Sequence, residues 1–195
     1  YMTVCTILLR PWLNRDHQMS RVESKQGMNE RPLEYGFALK CIGELAPRTV
    51  LDVGSGGSSW PNLLYMCRLE VDAVDKIDGY WASLHNRHYP VMKADVTLPP
   101  ENDKKYDFVT CISVLEHIPE YKAAVMGMLA RLKDGGHLVI TVPFNKQKYY
   151  KNVYEEEQAS YGKDVNYVCQ VYTPNTLFNA IELSGGEIVY TEYYN

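Results

Sequence analysis

The chain has 195 residues, 46% of them hydrophobic and 23% charged, with a net charge of −4 and an isoelectric point near 5.7, the balance of one soluble globular domain with a sizeable core. An acidic chain offers no diffuse basic field to a phosphate backbone, which disfavours nucleic acid as a partner, and no apolar run approaches the roughly 20 residues that span a bilayer. Cys5, Cys41, Cys67, Cys111 and Cys169 are odd in number, scattered and without a CxxC pair, which fits reduced thiols in the cytoplasm better than a disulfide framework or a structural zinc site.

The opening residues, 1–32, are mixed and polar and read as an N-terminal extension to a domain over 33–195. The first confident element is a helix over "RPLEYGFALKCIGELAP", with apolar Leu33, Phe37, Ile42 and Leu45 and a terminating Pro47. Apolar runs then alternate with helical patterns: "TVLDVG", "EVDAVD", "YPVMKAD", "YDFVTCIS" and "HLVITVP" read as buried parallel strands. That rhythm predicts an α/β fold, a doubly wound and mostly parallel sheet with helices on both faces.

Between the last two of these strands, Tyr121, Val125, Met128, Leu129 and Leu132 share a helical face, and Gly135 with Gly136 reads as the end of that helix. Residues 144–172 form a segment too long for an ordinary connection and so a candidate for function. Nine of the 16 tyrosines lie from Tyr149 onward, and four Lys balance three Glu and one Asp within 145–172. A final helix is capped by Thr173, starts at Pro174 and stops at Gly185, and the strand "EIVYTEYY" follows. Tyr1 in place of Met, and a closing strand pattern without a partner, read as a piece of a longer protein.

In an open parallel sheet, ligands sit outside the carboxyl ends of the strands. Here the first strand ends in Asp52 and the turn Gly54-Ser55-Gly56-Gly57, the second in Asp75, the third in Asp95 and the fourth in Ser113. A glycine turn running into a helix ordinarily cradles phosphate, and a carboxylate at Asp52 would repel one. Asp75, 19 residues after Gly56, has the spacing of an acid that accepts both hydroxyls of a ribose. Asp52 suits a cationic amino group and Asp95 the exocyclic amine of an adenine. Together they favour S-adenosylmethionine, with S-adenosylhomocysteine as product, over a nicotinamide dinucleotide.

Over residues 33–194 the sequence resembles the class I S-adenosylmethionine-dependent methyltransferases, among them uncharacterised bacterial enzymes acting on small molecules and glycans. "VLDVGSGGS" is similar to the family's glycine motif, "VDAVDK" to its ribose-binding acid and "KADVTLP" to its adenine-contacting acid, while "YDFVTCISVLEHIP" and "LKDGGHLVITVP" are similar to its fourth and fifth strands. The resemblance implies a strand order 3-2-1-4-5 then 6. It implies a cofactor site of Asp52, Gly54, Ser55, Gly56, Gly57, Asp75, Lys76, Asp95, Val96 and Ser113, with Glu34 and Tyr35 closing over the methionine end. Two departures are visible: Ser58 stands at the third small position of the glycine motif, and the family's antiparallel seventh strand, which pairs beside the sixth, is not seen.

For methyl transfer to an oxygen of a small molecule or saccharide, the candidate general base is His117, which follows the fourth strand; an imidazole has a reference pKa of about 6.5. The competing reading makes Leu115-Glu116-His117 a structural turn. His85 and His88 have no further metal ligands nearby and read as surface histidines, Cys111 as a buried thiol, and no metal site is expected. A nicotinamide-dependent oxidoreductase and a non-catalytic cofactor-binding scaffold are the alternatives from other classes.

Overall fold

The computed structural model describes residues 3–11, 30–77, 86–157, 159, 162 and 165–194. Seven strands form one sheet: β1 (Thr3–Pro11), β2 (Thr49–Val53), β3 (Glu70–Asp75), β4 (Met92–Lys93), β5 (Tyr106–Ile112), β6 (Leu132–Phe144) and β7 (Gly186–Tyr193). Their order is β4-β3-β2-β5-β6-β1-β7, and every neighbouring pair is parallel. The helices are α1 (Arg31–Leu45), α2 (Trp60–Met66), α3 (Tyr121–Leu129) and α4 (Pro174–Leu183), with single 3-10 turns at Leu115–His117 and Val153–Glu155.

The period-2 alternation of the central strands sorts the core into two faces. Val50, Phe108, Ile112 and Val139 turn to one side, where they meet Phe37, Ala38, Cys41 and Ile42 of α1 and Trp60 and Leu64 of α2. Leu51, Val109, Cys111, Leu138 and Ile140 turn to the other, against Ala124, Val125 and Met128 of α3 and Leu177 and Ile181 of α4. On α1 the buried positions are Glu34, Phe37, Ala38, Cys41 and Ile42, the spacing of a helix with one face against a sheet. Pro32 starts this helix and Ala46, left-handed at φ 46°, ends it ahead of Pro47.

The core order β4-β3-β2-β5-β6 is the expected 3-2-1-4-5. The last strand, however, does not pair with the fifth. β1 lies between β6 and β7, with Val4 opposite His137 on one side and Thr3 opposite Gly186 on the other. The place where the family resemblance implies an antiparallel strand is thus taken by a parallel strand from the start of the chain, and both edges of β1 are hydrogen-bonded. A second correction concerns Gly135 and Gly136, which do not cap α3: the helix stops at Leu129, and β6 is already paired at Leu132 with Tyr106. Gly135, at φ 73°, lies where the register of that pairing shifts before resuming at His137 opposite Phe108, so the glycine serves a break in strand register rather than a helix end.

Candidate functional site

The carboxyl ends of β2, β3, β4 and β5 open into a cavity of about 590 Å³. Its wall is built first by the turn after β2. Gly54 has φ 76°, and a Cβ there would stand 2.3 Å from Val114 Cγ1, so only glycine lets this turn pass the segment after β5. Gly54 N and Ser55 N both donate to Val74 O, at 2.8 and 3.2 Å. A Cβ at Gly57 would meet nothing within 4 Å, so the turn leaves room for a ligand in front of it.

Asp52 is only 3% exposed. Its Oδ2 accepts from Ser55 Oγ at 2.6 Å and its Oδ1 from Thr110 Oγ1 at 2.7 Å; Thr110 Oγ1 in turn accepts from Trp60 Nε1 at 3.2 Å. Burial, opposed by those two hydroxyl donors, pushes the Asp52 carboxyl up to about 6. A carboxyl in this state gains from a cationic partner, which would favour its charged form. Asp75 faces the glycine turn, with Oδ2 accepting from Gly56 N at 2.8 Å and Oδ1 from Ile77 N at 3.0 Å. Each oxygen keeps a second lone pair for a ligand hydroxyl.

Asp95 Oδ1 accepts from Thr97 N and Thr97 Oγ1, at 2.9 and 2.6 Å, and Lys76 Nζ lies 3.3 Å from Oδ2. Despite a desolvation penalty, the Thr97 donors and Lys76 hold this carboxyl below its ordinary range. Val96 and its neighbours are seated by α3, since a Cβ on Gly127 would lie 1.8 Å from Val96 O. Ser113, left-handed at φ 52°, turns its Oγ away to donate to Glu34 Oε1 at 2.6 Å.

The cavity is lined by Tyr35, Asp52, Gly54, Ser55, Gly56 and Gly57. Asp75, Lys76, Asp95, Val96, Ser113 and His117 line it too, so the structure brings every residue singled out for cofactor or base into one space. Glu34 is the exception: it is fully buried beneath the site and ties α1 to the sheet, accepting from Ser113 Oγ, from Thr141 Oγ1 at 2.9 Å and from Arg31 Nη1 at 3.0 Å. The residue of α1 that reaches the cavity beside Tyr35 is Arg31, which the sequence reading missed; its spacing of three from Glu34 on a helix was the available signal. Tyr35 stacks on Trp60 with ring centroids 4.5 Å apart.

His117 lines the cavity together with Ile118, Pro119, Glu120, Tyr167 and Val168. Its Nδ1 lies 2.8 Å from Val168 O and its ring meets Tyr167 edge-on at 5.1 Å. The Tyr-rich segment therefore forms part of the cavity wall, packed on its own small core of Val153, Tyr154, Cys169 and Val171. Cys111 is fully buried in β5, and His85 lies outside the described residues. Among the described residues no group of three or more His, Cys, Asp or Glu is placed to hold a metal ion, and no helix is long and apolar enough to cross a membrane.

Fold and cavity define a doubly wound α/β protein with an acid-lined, cofactor-sized cleft at its strand ends. A family model described as a methyltransferase domain matches residues 25–191, and the chain belongs to this family, the class I S-adenosylmethionine-dependent methyltransferases. The ubiquinone biosynthesis O-methyltransferase of Alkalilimnicola ehrlichii is 31% identical over 126 residues, which cover 61% of this chain and 51% of that protein. The protein of the same name from Bordetella bronchiseptica is 32% identical over 113 residues, covering 54% of this chain and 46% of that protein. The chain thus spans about half the length of the curated relatives it matches.

Among solved structures, Burkholderia thailandensis 1,6-didemethyltoxoflavin-N1-methyltransferase aligns at a TM-score of 0.57 and 18% identity, over 89% of this chain and 80% of that one. A S-adenosylmethionine-dependent methyltransferase from Clostridium acetobutylicum aligns at 0.55 and 13%, over 85% of each. These two share the fold.

Proposed function

We propose that the protein transfers a methyl group from S-adenosylmethionine to an oxygen of a small molecule, in the cytoplasm. The observation that carries this reading is the acid at the end of each of three consecutive strand positions, Asp52, Asp75 and Asp95, around a glycine turn in one cavity with His117. The set fits this cofactor and suits a dinucleotide poorly, since a pyrophosphate at the turn would face the Asp52 carboxylate. Asp75 would take the ribose hydroxyls, Asp95 and Val96 the adenine end, and Asp52 the ammonium. Arg31, anchored by Glu34, would meet the carboxylate of the same amino-acid end. When bound, the cofactor supplies an electrophilic methyl on a sulfonium.

The chain's own contribution is alignment and proton removal: Tyr167 and its neighbours position the acceptor, and His117 takes the hydroxyl proton. The O-methyltransferase names of the relatives support an oxygen acceptor, and scattered cysteines without a CxxC pair suit a reducing compartment. A saccharide acceptor is a finer reading within the same proposal. The test is calorimetric titration with S-adenosylmethionine, S-adenosylhomocysteine and NAD, followed by S-adenosylhomocysteine release across phenols and saccharides. Binding of NAD instead of the first two would overturn the proposal, and cofactor binding without turnover on any hydroxylated acceptor would favour a scaffold.

A further inference from the structure

The segment after β6 folds back over the turn that carries His117 and caps its carbonyl groups in succession. Tyr172 Oη donates to Leu115 O at 2.9 Å, Gln170 N to Glu116 O at 2.8 Å, and Gln170 Nε2 to Ile118 O at 2.6 Å. Gln170 is 1% exposed, and its Oε1 accepts from Tyr149 Oη at 2.6 Å. The carbonyl of Ile118 can only accept, so the amide has one orientation, nitrogen toward Ile118 and oxygen toward Tyr149. Two residues earlier on the same strap, Val168 O lies 2.8 Å from His117 Nδ1.

We infer that Gln170 is a positioning residue: by clamping this strap to the turn it holds the Val168 carbonyl against His117 and fixes the imidazole as its Nδ1–H tautomer, with Nε2 as the basic nitrogen. A carbonyl has no proton to offer, so a hydrogen bond between it and Nδ1 requires the proton on Nδ1, and the neutral ring then carries its lone pair on Nε2. Gln170 grips both flanks of His117, by its main chain at Glu116 and by its side chain at Ile118. Tyr149, from the start of the same segment, sets the amide. The inference rests on the reading of His117 as the base, because a base must present an unprotonated nitrogen. It gives the long tyrosine-bearing segment a task beyond walling the cavity.

The test is the long-range proton–nitrogen NMR spectrum of the imidazoles in the 15N-labelled full chain, recorded without ligand at about pH 8, where imidazole is neutral. The chain has five histidines, and the pattern of His117 is identified by its disappearance in His117→Gln. The expected pattern is a protonated Nδ1 and an unprotonated Nε2. Gln170→Met keeps the length of the side chain and removes both of its hydrogen bonds, and the Nε2–H form is expected to become populated. Affinity for S-adenosylhomocysteine stays within about twofold, because Gln170 does not line the cavity.

Tyr149→Phe removes one hydroxyl and is expected to shift the tautomer ratio the same way by less; it decides the matter if Gln170→Met does not fold. A wild-type proton on Nε2, or a tautomer unchanged in folded Gln170→Met and in Tyr149→Phe, would overturn the inference. Failure of S-adenosylhomocysteine to bind the wild type would instead overturn the cofactor reading, and the ligand-free tautomer would still be measured independently.

Discussion

Replacing Asp52 by Asn is expected to make the protein more stable and its cofactor affinity lower. Asp52 is buried, and its carboxyl is pushed from an ordinary 3.8 to about 6. An acid whose pKa is raised on folding stabilises the native state most fully below its unfolded value and loses that stability as pH rises through the folded value. At neutral pH the ionised carboxylate therefore costs the empty protein about 3 kcal/mol relative to a neutral group, at about 1.4 kcal/mol per pH unit. Asparagine keeps the shape and is satisfied in place. Its Oδ1 accepts from Thr110 Oγ1, while its amide donates to Ser55 Oγ, whose own proton turns to the residue 52 carbonyl, already 3.3 Å away.

The assay is thermal unfolding from pH 4 to 8 without ligand. Below about pH 4 the two proteins should melt together, and the variant should gain progressively up to about pH 6 and then hold a lead of about 6–12 °C, at 2–4 °C per kcal/mol for a chain of this size. In the wild type, affinity for S-adenosylhomocysteine should rise between pH 5 and 7 as Asp52 ionises, and in Asp52→Asn that slope should vanish with affinity at least about tenfold lower. A variant that melts below the wild type at pH 7.5, or that retains the pH slope, would refute the account of Asp52 as a strained carboxylate awaiting a cation.

Three further outcomes are expected. Asp75→Ala leaves Gly56 N and Ile77 N without their acceptor and should weaken S-adenosylhomocysteine binding by about 1.5–3 kcal/mol, the worth of hydrogen bonds to a charged group, in calorimetry. Gly54→Ala introduces a Cβ 2.3 Å from the Val114 side chain at φ 76° and should cost about 1–3 kcal/mol or more in urea unfolding; Val114→Ala in the same chain should recover the steric part and leave the backbone strain. Glu34→Leu strips the acceptor from Ser113, Thr141 and Arg31 and should destabilise by about 3–5 kcal/mol, with Tm as the readout.

The positions of the three strand-end acids were legible because each ends a short apolar run, and the ends of parallel strands lie on one side of a sheet wherever those strands fall in its order. The glycine turn was legible for a related reason, since a left-handed residue is written into the chain as glycine. Gly135 misled because glycine marks a helix end and a break in strand register equally well. What separates the two is the pairing of β6 with β5 at Tyr106 and Leu132, a contact with no local signature.

The sequence by itself therefore determined most of the local conformations, the doubly wound class and the chemistry of the cofactor side, because each of these is written in short strand-turn-helix stretches that repeat along the chain. Only the tertiary structure decided that β1 enters the sheet between β6 and β7, because strand pairing is chosen by which edges meet and the pattern of one strand does not name its neighbour. It likewise decided that Glu34 lies under the site while Arg31 reaches it, through bonds spanning 79 and 107 residues to Ser113 and Thr141. The grip of Gln170 on the His117 turn, across 52 residues to Ile118, belongs to the same class: a buried polar group must find its partner in three dimensions, and the cost of leaving it unmatched acts on the folded chain rather than on any stretch of its sequence.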